Sequence, residues 1–223
     1  MAGVTMVELV QGLTVQTLHE NLERVREHIA RAGREPGEVQ ILAAVKYLPD
    51  EALSLLAEAG ITLAGENRAQ QLVRRAPQHP ELTFDFIGAL QSRKIAQIVP
   101  HARYIHSVAS ESALAQLARH GVPSTKVMIE VNVAGEAGKS GIAPDQLPDF
   151  LARCPVPVVG LMTMPPLAHD GEHSRRYFAA LCELAAEHGL RELSMGTSQD
   201  YEAAAKEGAT IVRLGSTLFT PWR

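Results

Sequence analysis

At 223 residues, with 46% hydrophobic and 21% charged side chains, the chain can bury a substantial core and lacks the composition of a disordered or coiled-coil protein. A net charge of −4 with no basic block leaves out the electrostatic footprint that a nucleic-acid partner requires. Cys154 and Cys182 lack metal or redox spacing, no apolar run is long enough to span a membrane, and the N-terminus has no signal pattern, so the chain reads as cytoplasmic with reduced thiols.

Leu18, Leu22, Val25 and Ile29 recur at helical spacing and Gly33 stops them, predicting a helix ahead of any strand. From there strand and helix patterns alternate. Residues 39–45 read as a buried strand and 49–59 as a helix closed by Gly60, followed by a short strand at 61–64 and a helix at 67–75. A strand at 83–87, a helix at 91–99 ended by Pro100, a strand at 104–108 and a helix at 110–120 come next. Over 126–133, Val127, Ile129, Val131 and Val133 share one face of a strand, and a loop with Gly138 and Gly141 leads to a helix at 145–153. A strand at 156–162, a long amphipathic helix at 171–188, a strand at 192–195, a helix at 199–206 and a strand at 210–214 complete the pattern.

Eight strands alternating with helices imply parallel pairing through right-handed crossovers, and eight such units can close on themselves. The fold class is therefore α/β: a single (β/α)₈ TIM-type barrel domain over residues 1–223, with an extra N-terminal helix. A doubly wound open sheet is disfavoured, because Lys46-Tyr47-Leu48-Pro49 cannot act as the glycine-rich turn such a sheet places after its first strand.

Chemistry on a barrel belongs at the C-terminal ends of its strands. Lys46 follows the apolar run Ile41-Leu42-Ala43-Ala44-Val45, where partial desolvation disfavours an ammonium and leaves an amine able to attack a carbonyl. A lysine that merely reaches solvent at a strand end is the competing reading. Ser194-Met195-Gly196-Thr197-Ser198 follows the seventh strand and Gly215-Ser216-Thr217 the eighth, the usual place for a phosphate on such barrels. Small residues there expose backbone N–H groups and add hydroxyl donors. Arg213, just before the second turn, either makes a surface ion pair or donates to the nitrogen of a pyridine ring spanning from Lys46 to the turns. Other motifs fail. Gly138-Lys139-Ser140 lacks the first glycine of a nucleotide-binding loop, Val133 standing in its place, and His169 with His173 has no carboxylate or thiol to complete a metal site.

These stretches resemble a known family. Leu42-Ala43-Ala44-Val45-Lys46, Gly65-Glu66-Asn67, the run from Phe86 to Lys94, Lys139-Ser140-Gly141, Gly160-Leu161-Met162, the run from Ser194 to Asp200 and Arg213-Leu214-Gly215-Ser216 are similar to the pyridoxal phosphate homeostasis protein family, from about Leu18 to Phe219. The resemblance implies a barrel like the N-terminal domain of alanine racemase and pyridoxal 5′-phosphate as cofactor, held as a Schiff base on Lys46. It implies further that Asn67 lies near the cofactor and that Arg213 faces the pyridine nitrogen. Ser194, Gly196, Ser198, Gly215, Ser216 and the backbone at Thr217 would then hold the phosphate, and Met195 within the same motif counts among the cofactor-binding residues. The chain departs from the family pattern at Val45, Arg68, Thr197 and Thr220.

The expected function is non-catalytic: a monomeric holder of pyridoxal phosphate in vitamin B6 homeostasis that passes the cofactor to apo-enzymes. A chain ending just after the barrel leaves no second domain to supply an opposing base. A small racemase using Lys46 with Tyr47 or Tyr201 is the alternative, although strand alternation should turn Tyr47 away from Lys46 to pack outside the barrel. A phosphosugar Schiff-base lyase is the third reading.

Overall fold

The computed structural model describes residues 12–166 and 171–221. Helix α1 (Val15–Arg31) starts at Thr14, whose side chain accepts the Thr17 amide, and it buries Leu18, Leu22, Val25 and Ile29 along one face. Asn21 on that face donates to the carbonyls of Leu218 at 2.9 Å and Thr220 at 3.0 Å, latching the opening helix to the last turn of the described chain.

Eight parallel strands follow, interleaved with helices: β1 (Gln40–Ala44), α2 (Leu53–Glu58), β2 (Leu63–Glu66), α3 (Ala69–Arg75), β3 (Thr83–Phe86), α4 (Ile95–Ile98), β4 (Tyr104–Val108) and α5 (Glu111–His120) form the first half. The second half comprises β5 (Lys126–Glu130), α6 (Leu147–Arg153), β6 (Val158–Met162), α7 (Arg175–Glu187), β7 (Glu192–Thr197), α8 (Tyr201–Lys206), β8 (Ile211–Leu214) and α9 (Ser216–Phe219). The sheet closes in sequence order, with β1 against β8 in the register Leu42↔Arg213 and Ala43↔Leu214. This is the expected barrel with its extra N-terminal helix.

Period-two alternation divides each strand between two environments. Outward residues such as Val127, Ile129 and Val131 join the large core between strands and helices, and Leu42, Leu63, Met128, Met162 and Ile211 fill the barrel itself. Among the described residues no helix is long and apolar enough to cross a membrane.

The boundaries differ from the sequence reading where caps intervene. The strand expected at 61–64 begins at Leu63, because Gly60 (φ +85°) and Ile61 close α2 by donating to the carbonyls of Ala57 and Leu56. That is a helix-ending turn in which a glycine takes the left-handed conformation. The helix expected at 91–99 is a 3₁₀ turn at Ser92–Lys94 followed by α4, and the one expected at 171–188 likewise begins as a 3₁₀ turn at Gly171–Ser174. Strand β1 ends at Ala44, two residues before Lys46, and this changes the fate of Tyr47.

Gly160 sits where β6 changes register against β5, and a Cβ there would overlap the Glu192 carbonyl on β7. Gly160→Ala should cost roughly 3 kcal/mol through forced separation of β6 and β7. Gly37→Ala, whose Cβ would meet nothing within 4 Å, serves as the control. Urea denaturation of both variants checks the contrast.

Candidate functional site

A cavity of about 320 Å³ opens where the strands end, lined by Lys46, Asn67, Ser198, Arg213, Gly215 and Ser216 together with Tyr47, Met164, Thr197 and Gln199. The barrel thus gathers six of the sequence-predicted residues from β1, β2, β7 and β8 around one space. The other four sit elsewhere. Met195 points outward into the helix–strand core, Gly196 lines an adjoining crevice, and the Thr217 amide is turned to Ser198. Ser194 is fully buried beneath Arg213.

Lys46 continues the inward phase of Leu42 and Ala44, since the ladder runs one step past the strand with Val45 N–H donating to the Gly65 carbonyl at 3.1 Å. The corner that carries it is held by Arg75, which is buried. Its guanidinium donates to the carbonyls of Val45 at 3.2 Å and Leu48 at 2.7 Å, to Asp50 Oδ1 at 2.8 Å, and to Glu66 Oε1. Glu66 in turn accepts the Asn67 amide at 3.1 Å. One cation therefore ties the lysine's loop to the strand end bearing Asn67. Burial pushes the Glu66 carboxyl above its usual range, and the charge and hydrogen bond of Arg75 only partly oppose this.

Two expectations need correction here. Lys46 is exposed, so the protein does not itself supply the desolvation expected at the end of an apolar strand. Tyr47 does not pack outside the barrel: it is 45% exposed, lines the cavity, and has the Lys46 ammonium 4.5 Å from its ring centroid. With β1 finished at Ala44, strand alternation no longer governs its direction. Tyr201, the other tyrosine considered, is buried with its hydroxyl 2.8 Å from His28 Nδ1 and does not line the cavity.

The two small-residue turns are bound together. Ser198 Oγ accepts from the amides of Gly215 and Thr217, each at 3.2 Å, and Thr217 Oγ1 donates back to the Ser198 carbonyl at 3.4 Å. Thr197 N–H and Oγ1 both donate to Asp200 Oδ1, at 2.7 and 2.9 Å, which closes the turn opened by Gly196 at φ +89°. The acceptor on which these two amides converge is Ser198 itself, so the bonds fix the two turns to each other.

Arg213 is only 7% exposed and donates to Ser194 Oγ at 2.7 Å, the Thr163 carbonyl at 3.0 Å and Met164 Sδ at 2.9 Å. Burial pulls it down to about 10, against the attraction of Asp200 and Glu130, and it stays a cation at neutral pH. Glu130 on β5 is buried too, accepting the Ser140 hydroxyl. Sequence reasoning missed the groups below Arg213: His106 and Asp85, both fully buried. Their signal was a titratable residue in the middle of a short strand, flanked by Phe84 and Phe86 for Asp85 and preceded by Ile105 for His106. No cluster of three metal-ligating side chains occurs among the described residues, and His169 lies outside them.

A family profile described as the N-terminal domain of alanine racemase matches residues 13–221. A relative from Aquifex aeolicus named pyridoxal phosphate homeostasis protein is 36% identical over 219 residues, covering 92% of this chain and 96% of its own length. The chain belongs to the pyridoxal phosphate homeostasis protein family. The Synechococcus elongatus protein PipY, 31% identical, has been solved with and without pyridoxal phosphate; its two structures match 91% of this family member and 99% of PipY at TM-scores of 0.77 and 0.78. Alanine racemase from Corynebacterium glutamicum, 13% identical with a TM-score of 0.73, shares the fold over 92% of this chain and 61% of its own.

Glu130 offers a pH test of the site's electrostatics. Burial raises its folded carboxyl above the ordinary 4.5, more than the Ser140 hydrogen bond and Arg213 lower it. The folded state then holds the proton more tightly than the unfolded chain, so this contribution to stability is present below about 4.5 and is lost as pH rises through the folded value. Glu130→Gln, which cannot titrate, should gain stability relative to the parent between acidic and neutral pH. Urea titrations at both ends of that window check the sign.

Proposed function

We propose that this chain holds pyridoxal 5′-phosphate on Lys46 as a Schiff base and acts in intracellular vitamin B6 homeostasis as a monomeric carrier that yields the cofactor to apo-enzymes. The observation that carries this reading is the single cavity joining the Lys46 amine to two amide-rich turns, with the buried cation Arg213 in its wall. The residues fit the group. Asn67 Oδ1 is buried with no hydrogen-bond partner among the described residues, so it has an acceptor to offer a ligand hydroxyl. Ser198 and Ser216 line the cavity and can offer hydroxyl donors to a phosphate oxygen, while the Gly215 and Thr217 amides hold Ser198 in place by donating to its Oγ.

Within this reading the lysine amine condenses with the cofactor aldehyde, losing water. Its exposure leaves that bond open to hydrolysis, which suits a holder that must release. Ser194 is assigned to Arg213 and His106 rather than to phosphate, because both its hydrogen bonds are inside the barrel. Met195 and Gly196 are assigned to packing and to the turn. An arginine beside the ring nitrogen keeps that nitrogen unprotonated and weakens the ring as an electron sink, so carbanion chemistry is poorly supported.

The racemase alternative has Tyr47 in its favour, since that phenol lines the same cavity. Two-base racemisation, however, needs groups on opposite faces of the substrate, whereas the Tyr47 ring lies 4.5 Å from the Lys46 ammonium. Deuterium wash-in at Cα across the proteinogenic amino acids separates the readings: the carrier gives none, and exchange lost in Lys46→Ala would establish the enzyme.

Purified protein incubated with pyridoxal phosphate should show Schiff-base absorbance that borohydride traps on Lys46 and that Lys46→Ala abolishes. Unchanged absorbance in the variant refutes the assignment. Ser198→Ala with Ser216→Ala should weaken retention by roughly 1.5–3 kcal/mol for each charge-assisted hydrogen bond removed. Equilibrium dialysis measures this, and parental retention would count against the phosphate contacts.

A further inference from the structure

We propose that His106, acting through Ser194, is a positioning residue that fixes the Arg213 guanidinium against the ring nitrogen of bound pyridoxal phosphate. This rests on the reading above. Four strands contribute to the device: Asp85 from β3, His106 from β4, Ser194 from β7 and Arg213 from β8. The first three are fully buried among the apolar residues that fill the barrel.

Their hydrogen bonds form one continuous chain. Arg213 Nη1 donates to Ser194 Oγ at 2.7 Å, Ser194 Oγ lies 2.8 Å from His106 Nδ1, and His106 Nε2 lies 3.0 Å from Asp85 Oδ2. Arg103 closes the chain, binding both oxygens of Asp85 at 2.8 and 2.6 Å and Gln40 Oε1 at 2.7 Å. Asp85 also accepts the Tyr104 amide at 3.1 Å.

Proton counting gives the chain a direction. Burial alone would raise Asp85, but the hydrogen bonds from His106 and Arg103 hold it low, so it is a carboxylate and can only accept. His106 Nε2 therefore carries hydrogen. Burial drives the imidazole towards neutrality, outweighing the pull of Asp85 and reinforced by the two arginines, so Nδ1 is bare and accepts the Ser194 hydroxyl proton. With its single proton committed, Ser194 presents only lone pairs to Arg213. The guanidinium is then anchored on Ser194 at one nitrogen, and on the Thr163 carbonyl and Met164 sulfur at the other.

A merely structural demand does not account for the imidazole. Asp85 is already matched by a two-pronged arginine, and neighbouring positions inside the barrel are filled by Met128, Met162 and Ile211. What His106 adds is an acceptor of defined direction beneath the serine. Its effect should appear in the cofactor's electronic environment, not only in stability.

The test compares His106→Leu, Ser194→Ala and His106→Gln in the full chain, with pyridoxal phosphate as probe and thermal melts to confirm folding. In the ligand-free parent, NMR of the imidazole nitrogens should find a neutral His106 protonated at Nε2. Parent protein should show the Schiff-base band. His106→Leu and Ser194→Ala should displace that band and weaken binding about tenfold, the scale of one hydrogen bond to a charged group. His106→Gln can accept from Ser194 and donate to Asp85, and should restore both. Should His106→Leu fail to fold, Ser194→Ala, which removes a single oxygen, carries the same prediction. A folded Ser194→Ala or His106→Leu with the parent's band and affinity overturns the inference, as does an imidazole protonated at Nδ1. A parent without any Schiff-base band overturns the cofactor reading itself and this role with it, which distinguishes the two failures.

Discussion

Everything at the mouth of this barrel depends on β1 pairing with β8. Residues 46 and 215 are far apart in sequence, yet the register Leu42↔Arg213 and Ala43↔Leu214 brings their strand ends side by side, at the ~4.8 Å spacing of neighbouring strands. Ala44 lies directly against Gly215, where a side chain would begin to touch its Cβ. Closure thus converts a lysine and an amide turn from opposite ends of the chain into neighbours. A one-residue slip would turn Arg213 from the barrel interior to the helix side and separate it from the cavity. The latch from Asn21 to the carbonyls of Leu218 and Thr220 reinforces the same closure from outside.

The chain also buries charge, with Glu66, Arg75, Asp85, Glu130 and Arg213 all withdrawn from solvent. Among the described residues Arg213 has no carboxylate as a hydrogen-bond partner, only a hydroxyl, a carbonyl and a thioether. A buried cation so partnered is costly unless its site serves a purpose, because desolvation is compensated only through longer-range attraction to Glu130 and Asp200. Arg75 shows the contrasting arrangement. Its guanidinium meets two carboxylates and two carbonyls, and the product is a rigid corner rather than an unsatisfied edge. The first arginine has binding capacity in reserve at the cavity; the second is committed to holding the loop on which Lys46 stands.

Much of this was legible in the sequence, and the parts that were not fail for identifiable reasons. Alternation of strand and helix revealed the barrel, and residues at strand ends marked Lys46, Ser198, Arg213, Gly215 and Ser216 as neighbours. Within one motif, however, Ser194 and Ser198 have opposite fates. Ser194 lies inside β7 facing the barrel interior, Met195 faces the helices, and Ser198 lies beyond the strand end. A motif read as a string of small residues hides that period. Tyr47 escapes the alternation because the ladder ends with the Val45 amide, beyond which the chain enters a turn held by Arg75. His106 and Asp85 belong to no motif. Each sits in a short strand of mixed residues, and only the three-dimensional chain from Asp85 through His106 to Ser194 gives them a role.

The exposure of Lys46 bears on what kind of protein such a site serves. An enzyme gains from enclosing its Schiff base, since excluding water strengthens every electrostatic interaction and protects reactive species. Here the amine stands at an open mouth beside an exposed tyrosine, while the groups assigned to grip the phosphate and the ring are tied down by hydrogen bonds from within. On the proposed reading, non-covalent anchoring combined with an accessible covalent bond would allow water to break the link to Lys46 while the cofactor is still retained through its phosphate. Departure then becomes a second, separate step. A holder needs that separation, because a reactive aldehyde then remains controlled until an acceptor takes it.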